Sequence, residues 1–309
     1  MQRRHEGRLG LMSRRWWCRR AVAVAVAALL LGATSACGFD PKGFRDGRLF
    51  VVTALYPLTF LTERVGGDTV RVSQLPGAGV QPKITPVQIA DIKDSALVVY
   101  VDGVLPVVDG GDINHWADTA LDVAARVDLL APGAEAAGRG GPDPRVWLDP
   151  QRHAKVAEAI AEQLGVVDPE HAAAYRERAR TLYAELDALD RDYAAKLKTC
   201  QRREFVTSHG AFGYLADRYS LKELSVTDVL PAKNASLAAV AERARATGTT
   251  TVFFHDPSRT QVAEGVAREI GARTALLDPV DSVSRPGADY FSVMPANLAV
   301  LTDALGCSS

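Results

Sequence analysis

Three predicted strands in the second half of the chain each end in a side chain that can bind a metal ion. His209, His255 and Asp278 directly follow these strands. In open parallel sheets ligands gather beyond the carboxyl ends of the strands, so these side chains are expected to converge. Two imidazoles and a carboxylate are a workable zinc ligand set. Each residue alone also has a structural interpretation, as a hydrogen-bonded loop histidine or an Asp-Pro turn.

The elements that must position these residues alternate between strand and helix. The pattern begins with a strand signal over Leu49 to Leu55 and ends with a helix over Tyr290 to Leu305. Such alternation is typical of a parallel sheet with helical crossovers. It predicts an α/β protein with an N-terminal lobe over residues 49–150 and a C-terminal lobe over residues 201–309.

A linking helical region over residues 151–200 is predicted to join the two lobes. Within it a single long helix is expected over residues 169–199, with Asp168 as its N-cap and Pro169 at the first helical position. Apolar side chains recur at spacings of three and four along this helix and form one stripe: Tyr175, Ala179, Leu182, Leu186, Leu189, Tyr193 and Leu197. His115 and His153 are interpreted as surface or structural residues.

The N-terminus carries the features of an export signal. An arginine-rich start is followed by an uncharged apolar stretch from Ala21 to Ala33, which is too short to span a membrane. The small residues Thr34, Ser35 and Ala36 then precede Cys37, and this resembles the lipobox of bacterial lipoproteins. We therefore expect a signal peptide over residues 1–36, lipidation of Cys37, a tether over residues 37–48 and a location at the outer face of the cytoplasmic membrane.

The remaining cysteines of the mature chain are Cys200 and Cys307. With Cys37 linked to lipid, an oxidising compartment favours a disulfide between them. On the chain-entropy estimate a loop of about one hundred residues gives about 4 to 5 kcal/mol of stabilisation. The alternative is two buried free cysteines.

Composition and motifs exclude several classes of function. The 309 residues are 47% hydrophobic and 24% charged, with a net charge of −1, which gives no reason to expect nucleic acid. The sequence contains no Gly-x-Ser-x-Gly, phosphate-loop or His-Glu-x-x-His motif, so an enzyme is not expected.

Several segments together resemble the zinc and manganese receptor lipoproteins of bacterial ABC transporters. The resemblance covers nearly all of the mature chain, in order. Its most specific part is the run around His209, Thr207–Leu215. The other similar segments are Thr53–Leu58, Val65–Asp68, Val146–Pro150, Leu277–Pro279 and Tyr290–Met294. It implies two α/β lobes bridged by one long rigid helix, a bound zinc or manganese ion, and an ABC permease and ATPase as partners of a monomeric receptor.

The resemblance also implies four metal-ligand positions, of which His209 and Asp278 match the third and fourth. The first two are substituted, because Lys83 and Arg145 stand where the family has histidine. Neither cation offers a lone pair at neutral pH. We therefore expect a degenerate site held mainly on the C-terminal lobe by His209, His255 and Asp278.

Other functions remain open at this point. Lys83 or Arg145 can act as a counter-ion for Asp278 and leave a metal-free, salt-bridged cleft. The two cations can instead bind an anion or an organic solute. A weaker alternative is a partner-binding lipoprotein that uses the fold only as a scaffold.

Overall fold

The computed structural model describes residues 41–75, 84–102, 112–130, 143–226, 237–257, 260–283 and 285–308. It separates the chain into two units, Met1–Pro41 and Lys42–Ser309, and every element below belongs to the second. The predicted signal peptide, Cys37 and Lys83 lie outside the described residues. Among the described helices, none is both long and apolar enough to cross a lipid bilayer.

The first sheet contains five strands. They are β1 (Phe44–Arg45), β2 (Arg48–Thr53), β3 (Val70–Gln74), β4 (Leu97–Tyr100) and β5 (Ala120–Asp122). β2 lies parallel between β3 and β4, β5 lies parallel to β4, and β1 pairs antiparallel with β2. β2 and β4 are almost wholly buried, as expected for apolar runs covered on both faces. β1 falls within residues 37–48, where the sequence predicts a tether.

Within the described part of this lobe, three α-helices accompany the sheet: α1 (Tyr56–Gly66), α2 (Pro86–Asp94) and α3 (Asp112–Trp116). α2 begins with a capping box, in which the Thr85 side chain accepts from the Gln88 backbone and the Gln88 side chain accepts from the Thr85 backbone. β5 and α3 are too short to show a clear hydrophobic periodicity, so the sequence does not predict them.

Two long helices connect the sheets. α4 (Pro150–Val167) packs along α5 (Ala172–Leu197), whose predicted apolar stripe is buried. α5 spans roughly 39 Å at 1.5 Å per residue. The predicted start at Pro169 is wrong, because Pro169–His171 forms a 3-10 turn. Asp168 does not cap the helix with its side chain; its carboxylate instead accepts a 2.5 Å hydrogen bond from Tyr175.

The second sheet contains four described strands: β6 (Glu204–Thr207), β7 (Lys222–Ser225), β8 (Thr251–Phe254) and β9 (Arg273–Leu276). They are all parallel and lie in the order β7-β6-β8-β9. The accompanying helices are α6 (Gly213–Arg218), α7 (Leu237–Ala246), α8 (Gln261–Ile270) and α9 (Tyr290–Leu305). The prediction of two parallel-sheet lobes joined by a long helix is therefore confirmed.

Buried hydrogen bonds fasten the two lobes to each other. The Trp147 indole donates to the Pro279 carbonyl at 2.8 Å, and the Tyr290 hydroxyl donates to the Trp147 carbonyl at 2.7 Å. The Tyr193 hydroxyl of α5 donates to the Met294 carbonyl of α9 at 2.5 Å. One hydrophobic cluster runs through the first lobe, both linking helices and α9. The two lobes thus share part of their hydrophobic core.

The structure also joins Cys200 and Cys307 by a disulfide. Cys200 follows the end of α5 and Cys307 follows the end of α9. The bridge therefore fastens the end of the chain to the base of the second lobe, at the side where β6 begins.

Candidate metal site

The structure brings the two strand-end histidines together. β6 and β8 are neighbours, and the pairing continues past the strand end because the Ser208 backbone N–H donates to the Phe253 carbonyl at 2.7 Å. His209 and His255 follow on these adjacent strands, and their rings stack with centroids 4.6 Å apart. Parallel-sheet geometry thus places two imidazoles side by side at the carboxyl edge of the sheet.

Glu223 of β7 holds the loop that carries His209. Its carboxylate accepts from the Thr207 hydroxyl at 2.7 Å and from the backbone N–H groups of Ala211 and Phe212 at 3.2 and 3.0 Å. These contacts lie on both sides of His209. Glu223 is a positioning residue that the sequence analysis missed, because β7 itself is not predicted.

Asp278 shapes the turn after β9. Its carboxylate Oδ1 accepts from the Val280 backbone N–H at 2.8 Å, and its own backbone exchanges two hydrogen bonds with the Asn297 side chain, at 3.0 and 2.7 Å. Val280 has a φ of +59°, a left-handed conformation that is strained for a β-branched residue. The Asp278 carboxylate therefore helps to stabilise an unfavourable backbone conformation.

That turn directs a second carboxylate, Asp281, into the same region. Although 43% of its side chain is exposed, its Oδ1 atom is buried and has no hydrogen-bond partner among the described residues. Burial raises the pKa of Asp281 to about 6; the charges of Arg145 and His209 oppose this rise, whereas Asp143 and Asp278 add to it. Asp281 is thus electrostatically coupled to His209 and has a carboxylate oxygen available to a ligand.

Asp281 was missed in the sequence although it lies only three residues after Asp278. The available signal was a second carboxylate in the same strand-end loop. Its direction depends on the unusual conformation at Val280, which a valine does not reveal in the sequence.

Arg145 lies against these acids. Its Nη1 is 3.4 Å from Asp143 Oδ1 and its Nε is 3.8 Å from Asp281 Oδ2, while only 16% of its side chain is exposed. The sequence predicts Arg145 as a possible counter-ion for Asp278, but the carboxylates within 4 Å of Arg145 in the structure include Asp281, in the same loop. The other substituted position, Lys83, is outside the described residues.

These donors do not yet form a closed coordination site. Among the described residues no group of three or more His, Cys, Asp or Glu side chains has an arrangement that could hold a metal ion. The donor types fit zinc, which binds imidazole nitrogen and carboxylate oxygen at about 2.0 to 2.2 Å. The buried Asp281 oxygen is consistent with such a ligand. Binding would require this carboxylate and the two imidazoles to move closer together.

A separate polar cavity of about 290 Å³ lies where α4 meets α6. Its charged groups largely neutralise one another: Arg152 contacts Asp149 at 2.7 Å and Asp217 at 3.3 Å. Arg218 pairs with the buried Asp190 of α5 at 2.6 Å. We interpret this cavity as part of the ion-pair network that joins the long helices to the second lobe.

The position of His153 in the core is not predicted from the sequence. It is 1% exposed and packs beside Tyr290 and Phe60, with ring centroids 4.6 and 6.4 Å away. Neither ring nitrogen has a hydrogen-bond partner among the described residues. It is a structural residue as predicted, but it lies in the core rather than on the surface.

Comparison with known proteins identifies the family. Residues 51–304 match the family described as zinc-uptake complex component A, periplasmic (ZnuA). The chain is 31% identical to the high-affinity zinc uptake system protein ZnuA of Bacillus subtilis (strain 168) over 308 residues, covering 91% of this chain and 96% of that protein. It is 30% identical to the zinc-binding lipoprotein AdcA of Streptococcus pneumoniae serotype 4 over 312 residues, covering 91% of this chain.

The match spans only 60% of the length of that AdcA protein. A crystal structure of the Zn(II)-bound ZnuA-like domain of Streptococcus pneumoniae AdcA superimposes with a TM-score of 0.72 at 30% identity, covering 84% of this chain and 99% of that domain. The likeness therefore extends through both lobes and the linking helices. The chain belongs to the ZnuA family, zinc-uptake complex component A, periplasmic.

Proposed function

We propose that this protein is the extracytoplasmic zinc receptor of an ABC uptake system. The observation that carries the proposal is the stacked His209–His255 pair beside Asp281, whose Oδ1 atom is buried without a hydrogen-bond partner among the described residues. Membership of a zinc-uptake family and similarity to proteins named for zinc binding support the choice of cargo. The role is capture and delivery of an ion, not catalysis.

In this proposal the second lobe supplies the ligands. His209 and His255 provide nitrogen donors, and Asp281, rather than Asp278, provides the carboxylate, with water completing a four-coordinate shell. Asp278 keeps its hydrogen bond to Val280 and holds the loop. Two imidazoles favour zinc over manganese, which prefers oxygen ligands. Manganese is the alternative cargo.

The shared core and the hydrogen bonds between the lobes support a rigid receptor in which metal binding rearranges side chains only. The proposed partners are an ABC permease and its ATPase, which would receive the ion from a monomeric receptor. A lipidated Cys37 would hold the protein at the outer face of the cytoplasmic membrane, with residues 1–36 removed as a signal peptide.

A thermal-unfolding experiment tests zinc capture. Metal-free protein should melt at a higher temperature with stoichiometric zinc, because ligation to the native state stabilises it. His209→Ala and His255→Ala should each abolish most of the shift, and His171→Ala, at a half-exposed position at the start of the long helix, should retain it. An unchanged melting temperature of the native sequence would reject the proposal.

A metal-free cleft that binds an anion is the second candidate, favoured by one observation. Arg145 places a guanidinium at the same cleft, and guanidinium groups bind carboxylate and phosphate well. Its contacts with Asp143 and Asp281 count against it, because both are acids. Thermal shifts with phosphate and with acetate, run beside the zinc titration, separate the two functions.

A further inference from the structure

The backbone on both sides of Arg145 is anchored to the second lobe. The Asp143 carbonyl accepts from the Tyr214 hydroxyl at 2.8 Å. Trp147 donates to the Pro279 carbonyl and accepts from Tyr290. Arg145 thus extends from a fixed segment of the first lobe toward the loop that contains Pro279 and Asp281.

The Arg145 backbone is also held by contacts that do not involve its side chain. Its N–H donates to Asp143 Oδ1 at 3.0 Å, and the next three residues, Val146–Leu148, form a buried 3-10 turn. Replacing the side chain should therefore leave the local backbone in place. The guanidinium can be tested separately from the fold.

The two oxygens of Asp281 have different environments. Oδ2 faces the Arg145 guanidinium at 3.8 Å, whereas Oδ1 is buried with no hydrogen-bond partner among the described residues. With the guanidinium in this position, a metal ion bound to the Asp281 carboxylate would lie within a few ångströms of a permanent positive charge. In a partly buried site such like charges repel strongly, since they are poorly screened.

We propose that Arg145 is a resident cation that competes with zinc for Asp281, so that metal capture requires the guanidinium to move away. The inference rests on the proposed zinc site. Its basis is the 3.8 Å approach of the Arg145 guanidinium to Asp281 Oδ2, since a carboxylate that faces a cation is less available to a metal ion. Arg145 thereby sets a lower affinity for zinc than the same donors would have without it.

The test compares zinc affinities by isothermal titration for the native protein, Arg145→Gln, Arg145→Lys and Arg243→Gln. Arg243 is the matched control, because it pairs with Glu204 at the amino end of β6, opposite the end that carries His209. We expect Arg145→Gln to bind zinc about tenfold more tightly or better. Arg145→Lys should change little, and Arg243→Gln should match the native protein.

Each outcome separates this inference from the proposed function. If the native protein and Arg145→Gln bind zinc with equal affinity, the inference is wrong and the zinc function stands. If only Arg145→Gln binds zinc, the inference stands and the native protein is not a zinc receptor. Absence of binding in both proteins overturns both. An equal gain in Arg243→Gln would also overturn the inference, because it would show a general charge effect.

Discussion

At the residue scale, the roles of the histidines differ because their surroundings differ. His209 and His255 lie at strand ends where parallel pairing delivers them to one edge. His153 lies among aromatic rings in the core, and burial lowers its pKa to about 3 from an ordinary value of 6.5. Histidine is thus a proposed metal ligand at the strand ends and a neutral packing residue in the core.

His153 should make the stability of the protein pH-dependent. Because its pKa in the folded state is lower than in the unfolded state, its contribution is present above pH 6.5 and is lost as the pH falls toward 3. Between pH 7 and pH 5 the loss should be about 2 kcal/mol. We expect His153→Phe, which keeps the stacking, to remove this part of the pH dependence.

Urea unfolding of the native protein and His153→Phe at pH 7 and pH 5 measures this difference. The exposed residue His115 provides the control substitution, His115→Phe, which should keep the native pH dependence. Equal losses of stability in the native protein and His153→Phe would contradict the prediction.

The proximity of His209 and His255 is predictable from the sequence, whereas the side-chain contacts of Asp278 and Asp281 are not, for a physical reason. Strand ends in a parallel sheet have a fixed relation, so residues that follow neighbouring strands must meet. A loop has no such rule. The Asp278 carboxylate accepts a hydrogen bond from the Val280 backbone N–H, and the left-handed conformation of Val280 directs Asp281 toward Arg145. The positioning role of Glu223 is not predicted, because its strand, β7, is not predicted.

At the element scale, predictability follows the strength of the hydrophobic period. The stripe of α5 is strong and is buried as predicted, and α9 begins and ends at the predicted residues. β7 reads Lys-Glu-Leu-Ser and gives no apolar run, since it is an edge strand. The start of α5 was placed too early because the pattern of Asp168 and Pro169 also fits a 3-10 turn.

Two helical glycines should respond oppositely to alanine. At Gly66, the last residue of α1, an added Cβ would lie 2.9 Å from Cβ of the buried Val70 and would overlap its methyl groups. Gly66→Ala should therefore destabilise the fold by about 1 to 3 kcal/mol. Gly265 lies within α8 with open space around it, so Gly265→Ala should stabilise the fold by about 0.5 to 1 kcal/mol.

Denaturant midpoints of the two variants check this contrast. Each glycine serves as the control for the other, because both substitutions add the same methyl group to a helix. Destabilisation by Gly265→Ala, or no effect of Gly66→Ala, would show that the packing around these helices differs from the structure.

At the scale of the whole molecule, the proposed metal site and the Cys200–Cys307 disulfide lie at opposite ends of the second sheet. The His209–His255 pair lies at the carboxyl ends of β6 and β8, whereas the Cys200–Cys307 bridge lies beside the amino end of β6. Stability and metal capture should therefore be separable. The chain end is also held by noncovalent contacts, such as the 3.1 Å hydrogen bond from Arg202 Nε to the Ala304 carbonyl.

Because those contacts remain in the folded protein, removal of the disulfide should act mainly by increasing the conformational entropy of the unfolded chain. The bridge closes a loop of 107 residues, so Cys200→Ser with Cys307→Ser should lower the free energy of unfolding by about 4 to 5 kcal/mol. Zinc affinity should stay within about twofold of the native value, since the disulfide lies at the end of the sheet opposite to His209 and His255. Guanidinium unfolding and zinc titration of the same variant measure both effects. Free thiols in the exported native protein by mass spectrometry, or a large change in zinc affinity, would contradict this separation.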